Sequence, residues 1–184
     1  MLKMKKLTEI MQINGVPVYA HWSVLLIAAL ILLGALERPL ETIVAWGAYF
    51  SVILIHECGH MFVAQRKGFK VWAIELYPIH GLVRFQEPWS GYDRAVIAWG
   101  GVAAQAAIAF PLIAYVAVFG FTTLAAVNVA IGILGYYSLI VVAINLIPVP
   151  PLDGAKAWTL IPELMKRARM RRARPDAGYI RRSW

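Results

Sequence analysis

The chain has 184 residues, of which 60% are hydrophobic, and a formal net charge of +8. A mean hydropathy of +0.64 is too apolar for a water-soluble fold of one domain's length, which excludes a soluble enzyme or binding module and makes this a membrane protein. Its single cysteine, Cys58, excludes an internal disulfide.

The basic start, Lys3, Lys5 and Lys6, is separated from the first apolar run by TEIMQING, so no secretory signal is expected. In MQINGVPVYAHW an Asn14-Gly15 turn lies between β-prone pieces and predicts a small hairpin at the membrane surface. Four apolar runs then reach the length of about 20 residues that a helix needs to cross hydrocarbon. The first runs from Val16 or Val18 to Leu36 and is interrupted by His21; GALERPLE joins it to an antiparallel second run, Thr42 to Val63. Next comes KGFKVWAIELYPIHGLVRFQEPWSGYDR, rich in β-branched and aromatic residues and broken at Pro78 to Gly81. It predicts a hairpin over Phe69 to Gln86, able to enter the membrane only where protein or a wet cavity satisfies its backbone.

The third run, Ala95 to Phe119, is kinked by Pro111, and the fourth is Phe121 to Ile147. NLIPVPPLDG follows, where Pro148, Pro150 and Pro151 must unwind the helix and hold the chain extended. In AKAWTLIPELM a short new helix can begin, with Asp153 near its N-terminus. The expected architecture is an all-α polytopic membrane protein of about four transmembrane helices, with a small membrane-associated β-hairpin between helices two and three. It forms one domain over 1–165, with its core at about 41–160, and a basic tail over 166–184.

Lys and Arg next to membrane helices tend to stay in the cytoplasm. With four spans, Lys3, Lys5, Lys6, Arg66, Lys67, Lys70, Arg84, Arg94 and the basic residues from Lys156 onward share a side, and Arg38 alone lies opposite. The expectation is a multi-pass protein of a prokaryotic plasma membrane with both termini cytoplasmic. Its positive charge then serves topology and attraction to anionic headgroups, with no nucleic-acid partner.

The chemistry lies in the second run, in SVILIHECGH. His56 and His60 are four apart and share a helix face, and Glu57 is adjacent. This is the H-E-x-x-H arrangement, in which two imidazoles hold zinc and the glutamate is general base toward water. The plainer alternative is histidines that merely hydrogen-bond to neighbouring helices. Ionisable groups inside a span cost about 2.5–3.5 kcal/mol each and are retained chiefly for function, which favours a metal. A catalytic zinc takes three protein ligands and keeps an open position. Arg66 stands where the soluble metzincin spacing needs histidine, leaving Glu75, Glu87, Asp153, His21 and His80 as third-ligand candidates. His56 lies about 21 Å along a span that crosses about 30 Å of hydrocarbon, a depth that the proline-unwound end of the fourth span also reaches. Depth therefore favours Asp153; Glu75 stays possible from the hairpin, although in a strand it is expected to face headgroups or water.

HECGH in a span, followed two spans later by NLIPVPPLDG, resembles the site-2 protease family of intramembrane zinc metalloproteases. GVPVYAHWS is similar to the start of many members, and WGGVAAQ resembles the family's glycine-rich motif. The resemblance implies one zinc per chain bound by His56, His60 and Asp153, with Glu57 as catalytic acid/base. It also implies that Asn145 positions the substrate carbonyl or its oxyanion, and that the hairpin Phe69 to Gln86, the family's membrane-associated β-loop, holds candidate substrate-binding residues. The implied activity is hydrolysis of peptide bonds within or near transmembrane segments of single-span membrane proteins, as in regulated intramembrane proteolysis. Ala155 and Lys156 depart from the family's usual glycine and arginine, and Val102 and Gln105 from its proline and asparagine.

Two rival functions differ in class. One is a membrane metalloprotease of another type acting on cytoplasmic peptides, with glutamate as third ligand; the other is a zinc-binding, non-catalytic pseudoprotease, which would have no use for Glu57. Among single residues, His80 is expected at the surface, His21 beside Trp22 as an interfacial anchor, and Cys58 as a packing residue. Gly100, Gly101 and Ala104 are expected to form a close-packing face. Asn128 has no evident task.

Overall fold

The computed structural model describes residues 7–172 apart from 33, 34 and 36. The end of the first predicted span thus lies partly, and the chain beyond 172 wholly, outside the described residues. In chain order the elements are β1 (Leu7–Ile13), β2 (Val16–His21), α1 (Val24–Leu32), α2 (Pro39–Arg66), β3 (Val71–Leu76) and β4 (Gly81–Phe85). They are followed by α3 (Gly91–Phe119), α4 (Ala125–Asn145, with a π-helical stretch at Gly132–Tyr137), α5 (Gly154–Ala157) and α6 (Leu160–Arg172). The last of these helices runs across positions 165 and 166.

Among the described residues three helices, α2, α3 and α4, are long and apolar enough to cross a membrane. The first predicted span is corrected at its start. Val16 to His21 is a strand and helix begins only at Val24, because β-branched Val16 and Val18 follow a left-handed turn, Asn14 at φ 49° and Gly15 at φ 76°, that closes a two-residue hairpin. The fourth span starts at Ala125 instead of Phe121. Asn128 ties the turn before it, with its Oδ1 accepting the Thr122 N–H (2.9 Å) and its Nδ2 donating to the Thr122 carbonyl (2.8 Å).

The chain is mostly helical, as expected, but its β part is larger than the single hairpin of the expected architecture. The two hairpins read separately from the sequence join in one four-stranded sheet of order β1-β2-β3-β4. β2 and β3 pair in parallel, with Val18 opposite Ile74 and Ala20 opposite Leu76. A parallel pair needs a long crossover, supplied here by α1 and α2. α2 is released toward β3 by a full Schellman ending: Gly68 at φ 83° donates to the Gln65 carbonyl, and Phe69 N–H to Ala64.

α2 is the central element. One side packs Ile53 and Met61 against Val16, Val18, Ile74, Leu76 and Val83 of the sheet, with Cys58 at the margin of that core, as its packing reading requires. The other side meets α3 at a reciprocal glycine contact. A Cβ on Gly59 would lie 2.7 Å from Ala104 Cβ, and one on Gly100 would lie 2.6 Å from the Gly59 carbonyl. Lipid gives apolar helices no hydrophobic reason to associate, so this close backbone approach provides the packing. Ile43, Phe110, Val118, Phe119 and Ile140 are exposed on the spans, an apolar surface suited to acyl chains.

Candidate metal centre

His56 and His60 stand one turn apart on the face of α2 that meets α3, and are 6% and 8% exposed. Their rings are nearly perpendicular, with centroids 4.7 Å apart. Asp153 reaches them from the proline-rich link between α4 and α5: its Oδ2 is 2.8 Å from His56 Nε2 and 3.0 Å from His60 Nε2, and the two Nε2 atoms are 3.0 Å apart. Two residues four apart on a helix and a third about ninety positions away therefore converge on one point.

What lies behind each ring decides what lies in front. His60 Nδ1 donates to the Ile97 carbonyl at 2.8 Å, and His56 Nδ1 to Gln105 Oε1 at 2.7 Å. With the Nδ1 protons so placed, both Nε2 lone pairs and a carboxylate oxygen face one another across about 3 Å, an arrangement that repels unless a cation lies between them. Tetrahedral zinc with ligand distances of 2.0–2.2 Å sets its ligand atoms about 3.3 Å apart, within a few tenths of an ångström of this triangle. The donor set and the outer hydrogen bonds fit a zinc ion, which His56, His60 and Asp153 would hold.

Asp153 is held by its local fold. Its carbonyl accepts the N–H groups of Lys156 (2.9 Å) and Ala157 (2.7 Å), which starts α5. Gly154 lies so close to the Leu146 and Ile147 carbonyls that a Cβ there would overlap them. Trp158 Nε1 donates to Leu146 O at 2.7 Å and Trp99 Nε1 to Ala157 O at 2.9 Å, so the link folds back on α4 and is tied to α3. Burial alone would raise the Asp153 carboxyl. The hydrogen bonds and charges of His56 and His60 outweigh it and hold the group well below the usual carboxylate range.

Glu57 is buried and directed to the sheet, where Gly81 opens β4; a Cβ on Gly81 would lie 2.5 Å from Glu57 Oε1. No hydrogen bond holds its carboxylate among the described residues. Asn145, the last residue of α4, is half-buried and likewise makes no side-chain hydrogen bond among them.

The other third-ligand candidates go elsewhere. Glu75 corrects the expectation that it faces headgroups or water: it is fully buried, and its carboxylate accepts from Arg84 and from the Tyr77 hydroxyl at 3.0 Å. A buried strand carboxylate with two donors is satisfied without a metal. Glu87 is exposed near Arg94, His21 bonds to Ser23 Oγ at 2.5 Å, and exposed His80 stacks 5.0 Å from Tyr77. Gln105 and the Ile97 carbonyl were missed as partners of the histidines, and Gly81 as the neighbour of Glu57. A lone amide within the apolar run Ala95 to Phe119 was the available signal for Gln105.

Fold and site together define a multi-pass membrane protein with a His-His-Asp group, able to hold a metal ion, where its helices meet. No family model matches the sequence. Over 116 residues the chain is 30% identical to "Putative zinc metalloprotease sll0528" of Synechocystis sp., a match covering 57% of this chain and 27% of that protein, so the chain spans about a quarter of this curated relative's length. The solved structure of the site-2 protease from Methanocaldococcus jannaschii superposes with a TM-score of 0.67 at 22% identity, covering 94% of this chain and 74% of that one. The chain thus has the fold of that site-2 protease.

Proposed function

We propose that the chain is an intramembrane zinc metalloprotease of the site-2 protease family, hydrolysing peptide bonds within or near transmembrane segments of membrane-protein substrates. The observation that carries this reading is the triangle of His56 Nε2, His60 Nε2 and Asp153 Oδ2, with edges of 2.8–3.0 Å, on a helix where Glu57 follows His56 directly in sequence. His56, His60 and Asp153 would hold a zinc ion, which when bound would supply a Lewis acid that makes water nucleophilic near neutral pH. Glu57 takes a proton from the attacking water and returns it to the leaving amine. Asn145, at the end of α4, donates a hydrogen bond to the oxyanion.

A helical substrate hides its amides and must be extended before it is cut. β4 is an edge of the sheet, which suits strand addition of an unwound segment, and its first residue lies against Glu57. The bias of Lys and Arg favours a cytoplasmic side for both termini. In α6, Lys166, Arg167, Arg169, Arg171 and Arg172 favour anionic headgroups on that side.

The reading is tested by co-expressing the chain with single-span membrane proteins and comparing wild type with Glu57→Gln. A shortened product is expected with wild type alone. A product that persists in the variant removes Glu57 from the mechanism, and a chain that binds zinc but yields no product from any candidate supports a non-catalytic role.

A further inference from the structure

The two metal-facing histidines are backed by acceptors of different kinds. His60 Nδ1 meets the Ile97 backbone carbonyl, a group that can only accept. His56 Nδ1 meets the side-chain amide of Gln105, which is 1% exposed. Among the described residues, Gln105 Nε2 is the one side-chain polar atom wholly cut off from solvent that has no hydrogen-bond partner.

An amide can present either end. With Oε1 toward His56 it accepts the Nδ1 proton and leaves the Nε2 lone pair for a metal. Turned by half a rotation it donates to Nδ1, which moves the ring proton to Nε2, 2.8 Å from Asp153 Oδ2, where it forms a hydrogen bond in place of a metal contact. Because Nε2 of Gln105 has no other partner, the rotation breaks no further hydrogen bond. His60 has no such alternative, since its backing carbonyl belongs to the helix.

We infer that Gln105 is a positioning residue that sets the tautomer of His56, making His56 the convertible ligand and His60 the fixed one, and so governs how tightly the centre holds its metal. The inference rests on the zinc reading proposed above and deepens it. An aliphatic side chain would fill the same space in an apolar span without burying an unpaired donor, so packing alone gives no reason for an amide here.

The test uses the full chain purified in detergent, with zinc affinity measured by chelator competition and Co2+ absorption reporting the ligand set. Gln105→Met keeps the volume and loses the acceptor; it should bind zinc roughly 10- to 100-fold more weakly, the usual effect of removing an outer partner of a ligating histidine. Gln105→Glu keeps the shape and can only accept, so it should bind more tightly than wild type. Both should retain the wild-type Co2+ spectrum, because the three ligands are intact. Should either variant fail to fold, the other decides by its direction from wild type. Met within about twofold of wild type, or Glu weakened as much as Met, overturns the role of Gln105. A wild type that binds neither ion overturns the zinc reading and this inference together.

Discussion

Gly101 has no side chain for a reason found in its neighbours. A Cβ there would lie 2.6 Å from His60 Nε2 and 2.7 Å from His56 Cε1, and both rings are tied from behind through Nδ1. Neither ring can give way without losing a buried hydrogen bond, so Gly101→Ala should weaken zinc binding by about tenfold or more. Gly47, in the same helix as the histidines, is the control, since a Cβ added there would meet nothing within 4 Å. Gly47→Ala should leave zinc affinity unchanged and stabilise α2 by up to about 1 kcal/mol. Chelator competition on the two variants checks this, and equal affinities would show that Gly101 does not shape the centre. At this scale the motif His56-Glu57-x-x-His60 was legible because its spacing is that of one helical turn. The burial of Glu75 was not, because it depends on Arg84 from the next strand and on Tyr77.

Among elements, β4 combines two properties: its outer edge is unpaired within the sheet, and its first residue abuts Glu57. If a substrate segment adds to that edge, a proline at Val83, whose N–H faces away from β3, should abolish cleavage by removing an edge donor, while zinc content stays at the wild-type level. Cleavage that continues unaltered would dismiss strand addition, and zinc content read alongside separates this from damage to the centre. The same strands mark where the sequence stopped being informative. The Asn14-Gly15 turn, the stop at Gly68 and the unwinding at Pro148 to Pro151 are local and were readable. The parallel pairing of β2 with β3 joins residues more than fifty positions apart, with nothing in either strand to announce its partner. That pairing also explains the misread start of the first span, since Val16 to His21 is apolar enough for a helix and becomes a strand because partners lie on both sides.

For the molecule as a whole, the centre is a junction. α2 supplies two of the three converging groups, the α4–α5 link supplies the third, and α3 supports both rings through Ile97 and Gln105. A metal that binds only this folded arrangement stabilises all of it, by about 2.7 kcal/mol when its free concentration is a hundred times Kd. The thermal unfolding midpoint in detergent should therefore rise with free zinc and fall with chelator, and Asp153→Asn should flatten that dependence. A wild-type midpoint indifferent to zinc over the same range would count against a metal that joins three elements.

The chain's own order of residues determined the membrane setting, the helical pair of imidazoles with its adjacent carboxylate, and the places where the backbone must turn. Each of these follows from composition or from contacts within a few positions. Tertiary structure alone decided that the strands form one sheet and that Glu75 is enclosed. It also decided that an amide on α3 backs His56, because those outcomes depend on which distant segments pack together in space.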